Sequence, residues 1–169
     1  MLETHPFDSF VPLNTKFLLL GSFTGKPAPG YDWFYTSKRN QFWPILESVY
    51  GLKLATKKSK QQLFSKLKIA ISDIIYQCER TKGTNSDNNL VNIVYNIPAI
   101  EKILKQNKIE KIFFSSRYVE NKFKKLFKSV KIELVTLPSP SPRHAAMTKA
   151  EKIKKYKNVL PKLIDRFVV

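Results

Sequence analysis

The sequence contains few of the residues that hold metals or form cross-links. Of its 169 residues only Cys78 is a cysteine, and His5 and His144 are the only histidines. A single thiol excludes an intramolecular disulfide and a cysteine-ligated iron–sulfur cluster. Because two histidines and one cysteine are too few for the usual tetrahedral ligand sets, we expect no structural zinc site.

Long apolar runs are also missing. The longest extends from Phe17 to Leu20, whereas a helix needs about 20 apolar residues to cross a bilayer. The first residues do not combine a basic region with a long apolar stretch, as a secretory signal does. We therefore expect a soluble cytoplasmic protein with no membrane partner. The length and the hydrophobic content of 43% suit one domain, residues 1–169, with a single core.

Acidic residues are scarce relative to basic ones. The chain has 13 Asp and Glu against 30 Lys and Arg, a formal charge of +17, and a pI near 9.9. Lysine-rich helix faces alone explain many of the cations, but they do not explain why the acids are so few. A positive field of this size attracts polyanions and accelerates their encounter, so nucleic acid is the expected partner.

The apolar pattern predicts strands that alternate with helices. Short apolar runs predict buried strands at Lys16–Gly21, Lys68–Ser72, Lys111–Ser115 and Lys131–Leu137. Helical spacing of apolar residues occurs between them, around Phe42–Val49, Ile100–Leu104 and Val119–Phe127. A last helix is predicted from Thr148 to Ile164, with Thr148 and Glu151 spaced as a capping box. This order predicts an α/β domain with a parallel sheet.

The segments that leave the predicted strands carry unusual polar chemistry. Ligands of such sheets lie beyond the carboxyl ends of the strands, which is where Gly21–Gly25, Asp73 and Leu137–Ser139 fall. Gly21–Lys26 is not a nucleotide-binding P-loop, because three residues separate its glycines where four are needed, and Pro27 follows the lysine. For the polar residues from Asp73 to Asp87 we favour a structural role in ordering loops.

The segment from Phe34 to Trp43 places aromatics around one amide and two cations. Tyr35 and Asn40 are the main candidates for binding, since aromatic rings stack on bases and amides bond to base edges. Asn40 is alternatively the N-cap of a helix beginning at Gln41, and the two roles are compatible. We expect Lys38 and Arg39 to contact phosphate.

A second unusual segment, Leu137–Pro142, has three prolines and two serines and is followed by two basic residues. It is either a stiff loop between a strand and a helix or a preordered phosphate site built on Ser139 and Ser141. Arg143 and His144 could then reach into a duplex.

These segments together resemble the uracil-DNA glycosylase superfamily. Leu18–Gly25 is similar to its first motif, Phe34–Trp43 to the aromatic–Asn–Phe–Trp segment of its mismatch-specific members, and Leu137–Pro142 to its intercalation loop. The hypoxanthine-DNA glycosylases are the most similar branch. Similar residues in relatives also match Asp73, Cys78, Arg80 and Asp87.

The resemblance implies a three-layer αβα fold with a central four-stranded parallel sheet. It implies a monofunctional enzyme of base excision repair that flips hypoxanthine or uracil out of duplex DNA and hydrolyses its N-glycosidic bond without a metal or a cofactor. We expect a monomer, the natural default for an enzyme that wraps a duplex. Asn40 would be catalytic. The base would contact Ser22, Phe23 and Tyr35, and the DNA would contact Lys38, Arg39, Ser139, Ser141, Arg143 and His144.

The sequence also departs from the superfamily pattern. Phe23 stands where most branches have Asp or Asn to position water, although the hypoxanthine branch also lacks a polar group there. Thr24 and Lys38 replace prolines, Ser115–Ser116 replaces Asn–Gly, and Arg143–His144 replaces a small residue and an amide. A catalytically inactive nucleic-acid-binding domain of the same fold is therefore the alternative. A small-molecule enzyme is a third possibility, but it leaves the charge unexplained.

Overall fold

The computed structural model describes residues 1–164, and its elements alternate much as the apolar pattern predicts. In chain order they are β1 (Leu2–Thr4), β2 (Phe17–Gly21), α1 (Phe42–Tyr50), α2 (Lys57–Leu67), β3 (Ile69–Asp73), β4 (Ile75–Arg80), β5 (Leu90–Tyr95), α3 (Ile97–Gln106), β6 (Lys111–Phe114), α4 (Arg117–Leu126), β7 (Glu133–Thr136) and α5 (Lys149–Val159). None of the helices described is long and apolar enough to cross a membrane.

The central sheet has four strands, all parallel, in the order β3–β2–β6–β7. These are the four strands that the sequence predicts, with ends shifted by up to two residues. Successive side chains of a strand point to opposite faces, so Leu19 packs with α1, α2 and α5 while Leu18 and Leu20 pack with α3 and α4. The expected α/β, three-layer αβα fold with a four-stranded parallel sheet is confirmed.

A second, antiparallel sheet was not predicted. It has the order β1–β4–β5, and β4 lies in the segment that we interpreted as polar loop. Two register shifts interrupt the pairing of β4 with β5. Such bulges break the regular alternation of apolar and polar residues, so the strand has no clear periodic signal. The small sheet carries the N-terminal segment to the carboxyl edge of the central sheet.

Two helices also differ from the prediction. The last helix begins after Thr148 with the expected capping box, but it ends at Val159 rather than Ile164. Leu160 is extended and precedes Pro161, and a residue before proline is disfavoured in the helical conformation. Helix α2 was missed because most of its residues are polar. Only Leu63, Phe64 and Leu67 of its apolar residues pack into the core.

Helix α2 ends in a backbone conformation that suits glycine. Lys68 has φ 58° and caps the helix with its N–H. An L-residue in this left-handed region is strained, whereas glycine is not. We expect Lys68→Gly to give a net stabilisation of roughly 0.5–1 kcal/mol in urea denaturation. Relief of the left-handed strain contributes about 1–2 kcal/mol, and the greater freedom of glycine in the unfolded chain offsets roughly 0.5–1 kcal/mol of it.

Lys66→Gly in the last turn of the same helix is the matched control. We expect it to destabilise the protein by about 1 kcal/mol, because glycine is a poor helix former. Equal destabilisation by both glycines would contradict the assignment of Lys68 as a strained helix cap.

Candidate active site

A cleft of about 610 Å³ lies beyond the carboxyl ends of the parallel strands, within the size range of small-ligand sites. It brings together residues from segments far apart in the sequence. Of the ten residues predicted to form the site, the following line it: Ser22, Phe23, Tyr35, Arg39, Asn40, Ser139, Ser141, Arg143 and His144. Lys38 is exposed and lies outside this lining.

The floor of the cleft depends on a close approach at the end of β2. A Cβ atom on Gly21 would collide with the Tyr35 hydroxyl and with Oδ1 of Asp73. Glycine at this position therefore lets a phenol and a carboxylate meet over the strand end. Asp73 ends the neighbouring strand β3, in register with Gly21. The sequence suggested that Asp73 helps only to order a loop. Its carboxylate instead forms part of the floor of the cleft.

Tyr35 is held in a strained and incompletely bonded state. Its φ is 60°, uncommon for a residue with a bulky side chain. Its ring stacks on Phe42 with centroids 4.3 Å apart, so a flat ligand can stack only on the other face. The buried hydroxyl finds no hydrogen-bond partner within residues 1–164; Ser115 lies near it without meeting hydrogen-bond geometry. Burial and, secondarily, the Asp73 carboxylate raise the pKa of Tyr35 well above its ordinary value.

Asp73 forms a buried pair with His5, a residue to which the sequence gave no role. His5 Nε2 lies 2.7 Å from Asp73 Oδ2, and the two side chains are 4% and 5% exposed. His5 Nδ1 lies 3.1 Å from Phe7 N and 2.9 Å from Phe7 O, so either ring tautomer has a partner. The pair fixes one carboxylate oxygen of Asp73 and leaves the other toward Gly21 and Tyr35.

Phe23 is held in place from two sides. The His5 ring meets it edge-on at 5.6 Å, and the Arg80 guanidinium lies 5.5 Å from its ring centre. Arg80 is itself fixed by an ion pair of 2.8 Å to Glu3 and by donating to the Thr24 carbonyl at 2.6 Å. The N-terminal strand thus positions both the aromatic ring and the buried carboxylate of the site.

A second carboxylate lies on the cleft wall. The Ser22 hydroxyl donates to Asp87 Oδ1 at 2.7 Å. Burial raises the pKa of Asp87 above its ordinary value of 3.8, and the Ser22 hydrogen bond works against this rise. Ser22 therefore faces a carboxyl group that is harder to ionise than an exposed one.

Asn40 lies one residue before the position expected for it. Helix α1 begins at Phe42, with Gln41 at the N-cap making no side-chain cap bond, so the prediction of a helix starting at Gln41 was wrong by one residue. Asn40 Oδ1 nevertheless accepts the Phe42 N–H at 2.9 Å, and the Gln41 N–H donates to the Pro140 carbonyl at 2.9 Å. One lone pair of the Asn40 oxygen is used in this way, and a second one can still accept.

The proline–serine loop, Pro138–Pro142, is stiffened by its own hydrogen bonds. Ser139 Oγ accepts the Ser141 N–H at 3.2 Å, and Ser141 Oγ accepts the Arg143 N–H at 3.3 Å. The Tyr156 hydroxyl donates to the Pro138 carbonyl at 2.7 Å. Because both serine oxygens act as acceptors, their O–H groups are free to donate to an anion.

Comparison with known proteins supports the fold. No family model matches the chain, and no curated protein matches it. Its structure is similar to the solution NMR structure of a "putative uracil DNA glycosylase" from Methanosarcina acetivorans, with a TM-score of 0.70. The two share 20% identity over 94% of this chain and 98% of that chain. At that identity the similarity establishes a common fold across nearly the whole length.

The partly buried carboxyl group of Asp87 predicts a pH dependence of stability. Its pKa in the folded protein is above 3.8, so the folded state binds more protons than the unfolded state in the range just above that value. Its contribution to the free energy of unfolding is therefore favourable at low pH and lost as pH rises through the raised pKa. Asp87→Asn keeps an acceptor for Ser22 and should abolish this loss in urea denaturation measured across the acidic range.

Asp32→Asn, at an exposed carboxylate outside the cleft lining, is the control. The difference in unfolding free energy between the wild type and Asp87→Asn should fall with rising pH. If the unfolding free energies of the wild type and Asp87→Asn changed in parallel with pH, Asp87 would not be in an environment that disfavours its ionisation.

Proposed function

We propose that this protein is a monofunctional DNA glycosylase that acts on a deaminated base in duplex DNA. The proposal rests chiefly on the convergence, in one cleft, of an aromatic pair, an amide at a helix start and a preordered serine loop. The strongly basic composition and the structural similarity to a protein named as a uracil DNA glycosylase support it. We further propose that it works as a monomer in the cytoplasm, in base excision repair.

The base would enter between Phe23 and the free face of Tyr35. Stacking on an aromatic ring is worth ~1–3 kcal/mol per base and does not depend on base identity. Selection would come from Ser22 and from the carboxyl groups of Asp73 and Asp87, whose oxygens can accept N–H groups of the base edge. A mispaired hypoxanthine or uracil costs less to extrude than a paired base, which adds to selection.

The reaction would be hydrolysis of the N-glycosidic bond. The bond between the base nitrogen and C1′ breaks and its electron pair leaves with the base. The water oxygen bonds to C1′, and the proton that the water loses ends on the departing base. A neutral amide such as Asn40 does not accept a proton at neutral pH. Its carbonyl oxygen would instead orient the water and favour positive charge that develops on the sugar.

The DNA backbone would lie across the rim of the cleft. The free O–H groups of Ser139 and Ser141 would hold adjacent phosphates, with Lys38 and Arg39 contributing charge. Arg143 and His144 would occupy the stack that the flipped nucleotide vacates. Since the loop is already ordered, little conformational entropy is lost on binding.

A catalytically inactive DNA-binding domain is the second candidate. The observation that favours it is Phe23, an apolar residue fixed by His5 and Arg80 where most of the superfamily places a water-orienting side chain. Such a protein would bind DNA with the same rim but leave the base attached.

Asn40→Ala tests the chemical role. We expect turnover to fall by at least about 100-fold in a single-turnover assay, which corresponds to roughly 2.7 kcal/mol, while the affinity for duplex DNA changes little. Because Asn40 also caps the Phe42 N–H, the same variant should lose about 1 kcal/mol of stability.

Asn121→Ala, on the exposed face of α4, is the matched asparagine control. Equal losses of binding and turnover in Asn40→Ala would identify Asn40 as a structural cap only.

Binding should weaken steeply with salt if phosphates are neutralised in the complex. The logarithm of the association constant should fall linearly with the logarithm of salt concentration, with a slope near −0.9 per phosphate contact. Fluorescence anisotropy with a labelled duplex at several salt concentrations measures it. An association constant that does not change with salt concentration would contradict DNA binding as the explanation for the high positive charge.

A further inference from the structure

Lys152 is a buried cation that the proposed chemistry does not use. Its side chain is 1% exposed, although it lies on a helix whose other lysines face solvent. The ammonium donates to Gln41 Oε1 at 3.1 Å and to the Ser141 carbonyl at 3.3 Å. Lys152 therefore joins three parts of the site: α5, the residue before α1, and the proline–serine loop.

Lys152 has no acidic partner among the residues that the structure describes. No carboxylate of residues 1–164 lies within ion-pair distance of its nitrogen, and both of its acceptors are neutral. Desolvation lowers the pKa of Lys152 below its ordinary value. A buried charge without a counter-ion costs stability. An anion bound close to Lys152 would offset that cost.

The position of Lys152 indicates what its counter-ion is. Its ammonium donates to the carbonyl of Ser141, a residue that lines the cleft, and Lys152 itself is not part of that lining. The carbonyl of Ser141 also accepts the His144 N–H at 3.1 Å, so the loop does not depend on Lys152 alone to satisfy this group. The charge of a buried ammonium acts through protein as well as water, so it would attract an anion bound by the loop more strongly than an exposed lysine at the same distance.

We propose that Lys152 is a positioning residue whose buried positive charge prepares the proline–serine loop for a phosphate of the bound DNA. This proposal rests on the proposed function, because it takes a nucleic-acid phosphate as the missing counter-ion. It assigns Lys152 no contact with the base. Its role is to orient the Ser141 segment and to supply positive potential beneath it.

Lys152→Met tests the proposal, because methionine has a similar length but no charge. The probe is a fluorescein-labelled duplex that contains an abasic-site analogue, which cannot be cleaved by a glycosylase. We expect its affinity to fall by about tenfold or more, the size of one charge acting through protein. The midpoint of thermal unfolding should stay the same or rise, since the desolvated charge has been removed.

The exposed lysines Lys154 and Lys155 of the same helix provide matched controls as methionine variants. A merely structural lysine would give the opposite pattern in Lys152→Met: a lower unfolding midpoint with undiminished affinity. That result would overturn the proposal.

Lys152→Gln separates charge from hydrogen bonding and remains informative if the methionine variant does not fold. Glutamine is neutral but can still donate to a carbonyl oxygen. Weak binding by Lys152→Gln supports the role of charge, and binding equal to that of the wild type overturns it. Failure of the wild type itself to bind the duplex would instead contradict the proposed function.

Discussion

The site depends on glycine, which has no side chain, at position 21. At the end of β2 the Tyr35 hydroxyl and the Asp73 carboxylate both lie close to the backbone of Gly21, and a Cβ atom there would collide with both of them. Tyr35 reaches this point only by adopting a left-handed backbone conformation and by stacking on Phe42. Phe42, the first residue of α1, packs in the core beneath the Tyr35 ring, and Asn40, which accepts the Phe42 N–H, lines the cleft. The shape of the cleft floor and the position of the Asn40 amide both depend on the close approach at Gly21.

Several features of the cleft reduce the stability of the folded protein. The Tyr35 hydroxyl is buried without a partner within residues 1–164, Asp87 is a carboxyl group in an unfavourable environment, and Lys152 is a buried cation with neutral acceptors. Strain and unsatisfied polarity of this kind concentrate at functional sites, where a ligand completes the interactions. Their distribution is also ordered: carboxyl groups lie on the floor and the wall of the cleft, and cations lie around the proline–serine loop.

The sequence predicts the central sheet because three of its strands, β2, β3 and β6, are almost wholly buried and contain short continuous apolar runs. It predicts the cleft because the carboxyl ends of parallel strands share one edge, so Gly21, Asp73 and Ser139 had to converge. It does not predict β4, whose bulges hide the alternation, or His5, whose contact with Asp73 spans 68 residues and depends on pairing of β1 with β4. Lys152 escapes notice for another reason: among so many lysines, only packing distinguishes a buried one from its exposed neighbours.

We propose that the protein hydrolyses the bond between a deaminated base and its sugar. The most direct test incubates the purified protein with labelled duplexes carrying hypoxanthine, uracil or xanthine, followed by alkali to cut abasic sites. The account predicts strand cleavage at hypoxanthine or uracil, dependent on the protein and absent from undamaged duplex. Tight, salt-sensitive binding with no cleavage of any of these duplexes would contradict it and identify an inactive DNA-binding domain.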